Sequence, residues 1–253
     1  MKRAITAGVA VVAMLTAGGI LGRGRAEPPA VVIAPGDTLL APGGPDGLDG
    51  IIDSLQARLA VRPDDWRGFA SLGLAYLQQG RLSADPAYYP KADTALRRSL
   101  ALRPEENFDA ALGLGALSLG RHRFDTALEW GHRARRLNPQ SAEAEGVIGD
   151  ALLELGRYRA AARSYQAMID LRPELASYAR VSHYRELRGD LPGAIRAMVL
   201  ALDSAGTPED AAWTAYQLGE LHLGRGEVRR AADLYRRGAA LAPDAVLPVA
   251  GLA

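Results

Sequence analysis

The chain has no cysteine in 253 residues. That absence removes disulfides, thiolate metal sites, cysteine nucleophiles and a lipid anchor on an N-terminal cysteine. It also leaves redox usage silent about the compartment. Lysine is nearly missing as well: Lys2 and Lys91 are the only two, so arginine carries almost all of the positive charge. Lysine and arginine together number 30 against 29 acidic residues, a net charge of +1, so no global field draws the chain to nucleic acid. The four histidines, His122, His132, His183 and His222, fall in no metal-ligand spacing. No phosphate-binding glycine loop, nucleophile-elbow serine or paired-carboxylate motif stands out. The sequence thus offers no catalytic residue, no metal site and no cofactor site.

What is present is periodic. Pro63, Pro104, Pro139, Pro173, Pro208 and Pro243 are separated by 41, 35, 34, 35 and 35 residues. A single globular core has no use for a proline at a fixed interval, whereas a stack of paired-helix units does. Other landmarks recur 70 residues apart: Gly149 and Gly219, Gly156 and Gly226, Ala161 and Ala231, Tyr165 and Tyr235. Two repeats lie in that distance, so the fourth repeat is real although it keeps only Gly189, Ala194 and Pro208.

Each landmark has a mechanical reading. A small residue in the first helix (Gly73, Gly149, Gly219) admits the second helix, at a propensity cost of about 1 kcal/mol that packing must offset. The next glycine (Gly80, Gly156, Gly226) sits where the first helix stops and is free to take positive φ. The alanine that follows (Ala92, Ala127, Ala161, Ala194, Ala231) suits a helix crossing. The aromatic four residues on (Tyr165, Tyr235) stays on the same face, and the closing proline cannot continue the second helix. In the second repeat Gly120 and Ala127 stand two residues too far apart for this pattern. These residues resemble the tetratricopeptide repeat family from about Asp64 to Pro243. The resemblance implies an all-α fold, an α-solenoid of helix-turn-helix repeats.

The N-terminus reads differently. Lys2 and Arg3 precede an uncharged run of 18 residues, Ala4 to Leu21, which Arg23 and Arg25 close. Residues 1–25 are therefore expected to be an uncleaved signal-anchor or a cleaved signal peptide. The anchor reading places the repeats outside the cytoplasm at the cell membrane, and the cleaved reading gives a secreted module. Residues 26–47, rich in proline and glycine, read as a linker. Residues 48–63 read as a lone capping helix, a half repeat. About five repeats fill 64–243. Residues 244–253, with Leu247, Ala250, Gly251 and Leu252, read as the start of an incomplete sixth. With no polar helix after them, they suggest either a chain shortened against its relatives or a docking end.

Stacked helix pairs present the first helix of each repeat on a concave face. Aligning the repeats by their glycines places Arg67, Leu74, Glu143, Asp150, Glu154, His183, Glu186, Trp213, Tyr216 and Glu220 there or at its edge. From the third repeat on, carboxylates and two aromatics dominate, which suits an extended or helical peptide with basic and apolar side chains. Tetratricopeptide domains that grip acidic chaperone tails line this face with Lys, Arg and Asn, so the resemblance excludes that partner class. Tyr88 and Tyr89 fall in a seven-residue excess between the helices of the first repeat, as a contact point or a fold-back cover. Arg121, Arg123, Arg133, Arg135 and Arg136 make the second repeat basic, and are expected to form a solvated face rather than a nucleic-acid patch.

The function these readings suggest is a non-catalytic scaffold, tethered at the envelope, that holds a protein or peptide in its groove. The alternative is the interaction arm of an enzyme or regulator whose catalytic part lies elsewhere.

Overall fold

The computed structural model describes residues 45–243 and 246–252, and the stretch read as a leader, with most of that read as a linker, lies outside them. Twelve helices and no strand occur among the described residues. They are α1 (Pro45–Val61), α2 (Trp66–Leu82), α3 (Tyr88–Leu102), α4 (Phe108–Gly120), α5 (Phe124–Leu137), α6 (Ala142–Glu154), α7 (Tyr158–Leu171), α8 (Leu175–Leu187), α9 (Leu191–Asp203), α10 (Pro208–Gly224), α11 (Val228–Leu241) and α12 (Val246–Ala250). This is an all-α solenoid of tetratricopeptide-type helix pairs. The described residues divide into two compact bodies, the first running to Ala161 and the second beginning at Ala162.

The helix starts are written in the sequence. Asp65, Asn107, Ser141, Asp190 and Thr207 each accept, through a side-chain oxygen, the backbone N–H three residues on. Such caps satisfy an amide that the helix itself leaves orphaned. Pro208 then opens α10 at a position where a missing N–H costs nothing. α1 likewise opens at Pro45, inside the stretch 26–47 that the sequence assigns to the linker.

In the first body α1 packs on α2, α2 on α3, and α4 on α2, α3, α5 and α6. α1 buries Leu48, Ile52, Leu55 and Leu59 on one stripe and exposes Asp49, Asp53 and Ser54 on the other. α1 is thus amphipathic, with one wet and one dry face. Leu96 is fully buried between two glycines: a Cβ at Gly73 would lie 2.5 Å from its Cγ, and a Cβ at Gly113 2.7 Å from its Cδ2. In the second body α8 packs on α9, α9 on α10, and α10, α11 and α12 on one another. Gly219 admits the ring of Tyr235 in the same way. In the fourth repeat the small residue is Ser182, fully buried, whose hydroxyl donates to the Ala194 carbonyl at 2.8 Å.

The turns correct two sequence readings. Gly156, Gly189 and Gly226 take φ of 71°, 80° and 79°. In the second repeat Gly120 is the last residue of α4, and His122 takes the left-handed place at φ 55°. Its N–H donates to Leu119 O and that of Arg123 to Ser118 O, the same double closure found at Gly156 and Gly226. Counted from His122, Ala127 stands five residues on, as in the other repeats, so the two-residue discrepancy disappears. In the first repeat Gly80 lies inside α2, and Ala84 carries the positive φ of 52°. A left-handed non-glycine residue costs about 1 kcal/mol or more. His122 is exposed, and its ring meets Phe124 edge-on at 5.8 Å. His122→Gly is therefore expected to stabilise the chain by about 0.5–1 kcal/mol; a urea titration showing a loss would mean that the ring contact outweighs the backbone.

The longer link of the first repeat folds back. Tyr88 and Tyr89 open α3 half-buried, with the Tyr88 ring 6.0 Å from that of Tyr76 and the Lys91 ammonium 4.8 Å from the Tyr88 ring centre.

Candidate functional site

The first helices of the third and fifth repeats, α6 and α10, contain carboxylates and neither lysine nor arginine. The second helices α7 and α11 carry arginines instead: Arg159 and Arg163, then Arg229, Arg230, Arg236 and Arg237. In these two repeats charge is thus sorted by helix, although the chain as a whole is nearly neutral; the first helix of the fourth repeat, α8, carries Arg180 and Arg185 beside Glu186.

On α6, Glu143 is half-buried and accepts the Ser141 hydroxyl at 2.8 Å, while Glu154 ends the helix half-buried. Asp150 is buried, at 5% exposure, and so are its neighbours along α6. Glu145, which the sequence reading left out, is buried and meets Arg135 of α5 at 3.3 Å. Leu74 is also buried, against Gly113. Arg67 is exposed and its guanidinium lies 4.3 Å from the Trp66 ring centre.

In the second body, Glu186 is half-buried and its carboxylate lies 3.5 Å from Nδ1 of the buried His183. The Nε2 of His183 has no hydrogen-bond partner among the described residues. Trp213, Tyr216 and Glu220 follow one another at spacings of three and four on α10, so they share a face. Trp213 is half-buried, packed beside the cluster of Ala179, Ala194, Met198 and Leu218, and its Nε1 is buried with no acceptor among the described residues. Tyr216 is half-buried, its ring centre 5.6 Å from that of Tyr235 at a tilt of 35°. The Tyr235 hydroxyl donates to Glu220 Oε1, and Glu220 itself is exposed. Burial first, and then the Glu220 charge, push the Tyr216 phenol up to about 12. Burial, the hydrogen bond to Glu220 and that same charge push the Tyr235 phenol up. Both rings therefore stay neutral over the physiological range.

The seven groove residues read from the sequence fall in two groups. Glu143, Asp150 and Glu154 belong to the first body, and Glu186, Trp213, Tyr216 and Glu220 to the second. The structure brings together Tyr216 and Glu220 and adds Tyr235, which no reading of first helices alone would have included. The recurring pair of a first-helix glycine and a second-helix tyrosine was the signal available for it.

The basic second repeat is internally engaged. Arg121 meets Asp93 at 3.2 Å, Arg135 meets Glu145, and Arg133 lies 5.3 Å from the Trp130 ring centre. Among the described residues no three His, Asp or Glu side chains are placed to hold a metal ion, and no helix is long and apolar enough to cross a membrane.

The tetratricopeptide repeat family model matches residues 89–142 and 147–211. Among solved structures, the chain is similar to a tetratricopeptide-repeat protein of Thermus thermophilus, TTC0263, at 22% identity and TM-score 0.64, covering 74% of this chain and 96% of that one. It is similar to a chain of the APC/C hetero-tetramer Cut9–Hcn1 at 16% identity and TM-score 0.66, covering 82% of this chain and 39% of that one. A third likeness is to pilF of Pseudomonas aeruginosa, at 20% identity and TM-score 0.56, covering 71% and 77%. At these identities the likeness is one of fold. No curated protein matches the chain in sequence.

Proposed function

We propose that this tetratricopeptide-type solenoid, whose matched residues carry the repeats of that family, is a non-catalytic scaffold that holds a protein or peptide against its first helices. Tetratricopeptide-repeat proteins generally mediate protein–protein interaction, and the sorting of charge between helices is the observation that carries the reading here. A first-helix surface with acids and exposed aromatic area, backed by arginine-bearing second helices, favours a partner segment with basic and apolar side chains. The basic start and uncharged run of residues 1–25 support a tether at the cell envelope, with the repeats outside the cytoplasm.

The absence of cysteine makes the test clean. Ser54→Cys, on the exposed side of α1, gives one attachment point. Full-length protein biotinylated there and panned against a random peptide library is expected to enrich peptides that combine Arg or Lys with apolar residues. Glu143→Lys and Glu186→Lys on first helices should abolish that enrichment, and Arg236→Glu on α11 should not. Enrichment indifferent to the first-helix changes, or no enrichment, overturns the scaffold reading. The same thiol in intact cells reacts with a membrane-impermeant maleimide only if the repeats lie outside.

A further inference from the structure

Glu220 differs in its pairing from Glu227 and Asp233, the acids of the adjoining turn and of α11. Glu227 meets His222, Arg225 and Arg230, and Asp233 meets Arg236, whereas no cation among the described residues pairs with Glu220. Its Oε1 accepts the Tyr235 hydroxyl, and the side chain is exposed. One helical turn before it on the same face lies the half-exposed ring of Tyr216.

We infer that Tyr216 and Glu220 form a receptor for one cationic side chain, arginine or lysine, of a bound peptide, with Tyr235 as the buried strut that holds the carboxylate in place. This rests on the scaffold reading and names the chemistry of one subsite within it. Three features converge on it. Tyr216 is a half-buried aromatic, a residue type that takes cations over its ring, and a carboxylate one turn away on the same helix face adds Coulomb attraction. The Tyr235 hydroxyl fixes the carboxylate beforehand, so less side-chain freedom is lost on binding. α10 contains no lysine or arginine to compete for the site. Tyr235 is 2% exposed and its ring is unreachable, so it acts as a positioning residue and not as a contact.

The bland role for Glu220, acceptor for a structural tyrosine, makes a different prediction. Glutamine in its place still accepts the Tyr235 hydroxyl but carries no charge. The experiment is a titration of isotope-labelled full-length chain with the capped pentapeptide Ac-Ala-Ala-Arg-Ala-Ala-NH2, and with its Gln counterpart, followed by NMR. The arginine peptide is expected to shift the Tyr216 ring and Glu220 carboxylate signals with saturation in the millimolar range, and the glutamine peptide to leave them in place. Glu220→Gln should weaken the arginine peptide roughly tenfold while leaving the thermal unfolding midpoint unchanged. Tyr216→Phe, which keeps the π face, should bind within about twofold of the parent, and Tyr216→Ser should not bind. Tyr235→Phe should weaken binding severalfold without altering the preference for arginine over glutamine. Equal response to the two peptides, no response to either, or an unchanged affinity in Glu220→Gln overturns the receptor. A chain that passes the panning test and fails here keeps the scaffold and loses this subsite. A chain that fails panning but passes here keeps the subsite and loses the scaffold.

Discussion

A Gly131→Tyr variant is expected to lose about 3 kcal/mol of stability or more, although tyrosine holds the same place in the third and fifth repeats. The place is four residues beyond the crossing alanine: Leu96, Gly131, Tyr165, Met198 and Tyr235 in order. In the second repeat α5 has given up its side chain there, and α6 has moved in. A Cβ on Gly131 would stand 2.8 Å from Ile148 Cγ1, 3.2 Å from Val147 Cγ1 and 3.4 Å from the Ile148 backbone nitrogen. A Cβ on Gly115 of α4 would stand 2.9 Å from the same Val147 Cγ1 and 3.6 Å from the Gly131 nitrogen. Three helices thus meet at two glycines, and the obstacle to a ring includes backbone that no rotamer change relieves. Any aromatic at this site must push α6 off α5 and disturb the Arg135–Glu145 pair beside it. Guanidinium unfolding of the full chain checks this; a midpoint within error of the parent would show that α6 yields freely.

Gly219→Ala is the second large effect, and its sign is contested. Alanine is the better helix former by about 1 kcal/mol, and Gly219 lies in the interior of α10. Against that, a Cβ there would stand 2.4 Å from Tyr235 Cε1, 2.8 Å from Cδ1 and 3.1 Å from Cζ. The ring has nowhere to retreat, because a Cβ at Gly251 would meet it from another side at 2.8 Å. A flat ring gripped between two chain segments escapes only by withdrawing its hydroxyl from Glu220. Overpacking is expected to outweigh propensity and leave a net loss of about 2 kcal/mol. For a chain of this size that is a fall in melting temperature of about 4–8 °C. A rise in melting temperature would show that the tyrosine slides without cost and that propensity decides.

How much of this was legible beforehand depends on which interaction decides each feature. The proline comb and the Gly149/Gly219 and Tyr165/Tyr235 echoes reported the helix-pair architecture because they are local devices, readable from spacing alone. The caps Asp65, Asn107, Ser141 and Thr207 are local devices of the same kind, but the sequence reading did not name them. His122 was not legible, because a histidine in a left-handed turn is indistinguishable in sequence from one in a helix; only the backbone bonds that close α4 show its place. Gly120, two residues earlier, was the decoy. Ser182 was missed in the fourth repeat because its fitness comes from a hydroxyl that returns a bond to the Ala194 carbonyl, not from smallness alone. At the candidate site, the face shared by Trp213, Tyr216 and Glu220 follows from helical spacing. The Tyr235–Glu220 bond does not, since it exists only because Gly219 lets the ring through. The burial of Asp150 and Leu74 was equally invisible, because a stripe position says where a Cβ points and not what comes to cover it.

The five occupants of that second-helix place have a consequence for how the array can change. They range from no side chain at all to a full phenol, and where the fit is visible each is matched to its own partner: Leu96 to Gly73 and Gly113, Gly131 to Ile148, Tyr235 to Gly219 and Gly251. A tandem array of interchangeable modules grows and shrinks by unequal recombination, since any copy fits after any other. This one is keyed. A duplication that set the second repeat after the fifth would face a tyrosine-shaped recess with a glycine, and the reverse transposition would drive a ring into a backbone. The order of its repeats is therefore held by volume, and its length is far less free to drift than its period suggests.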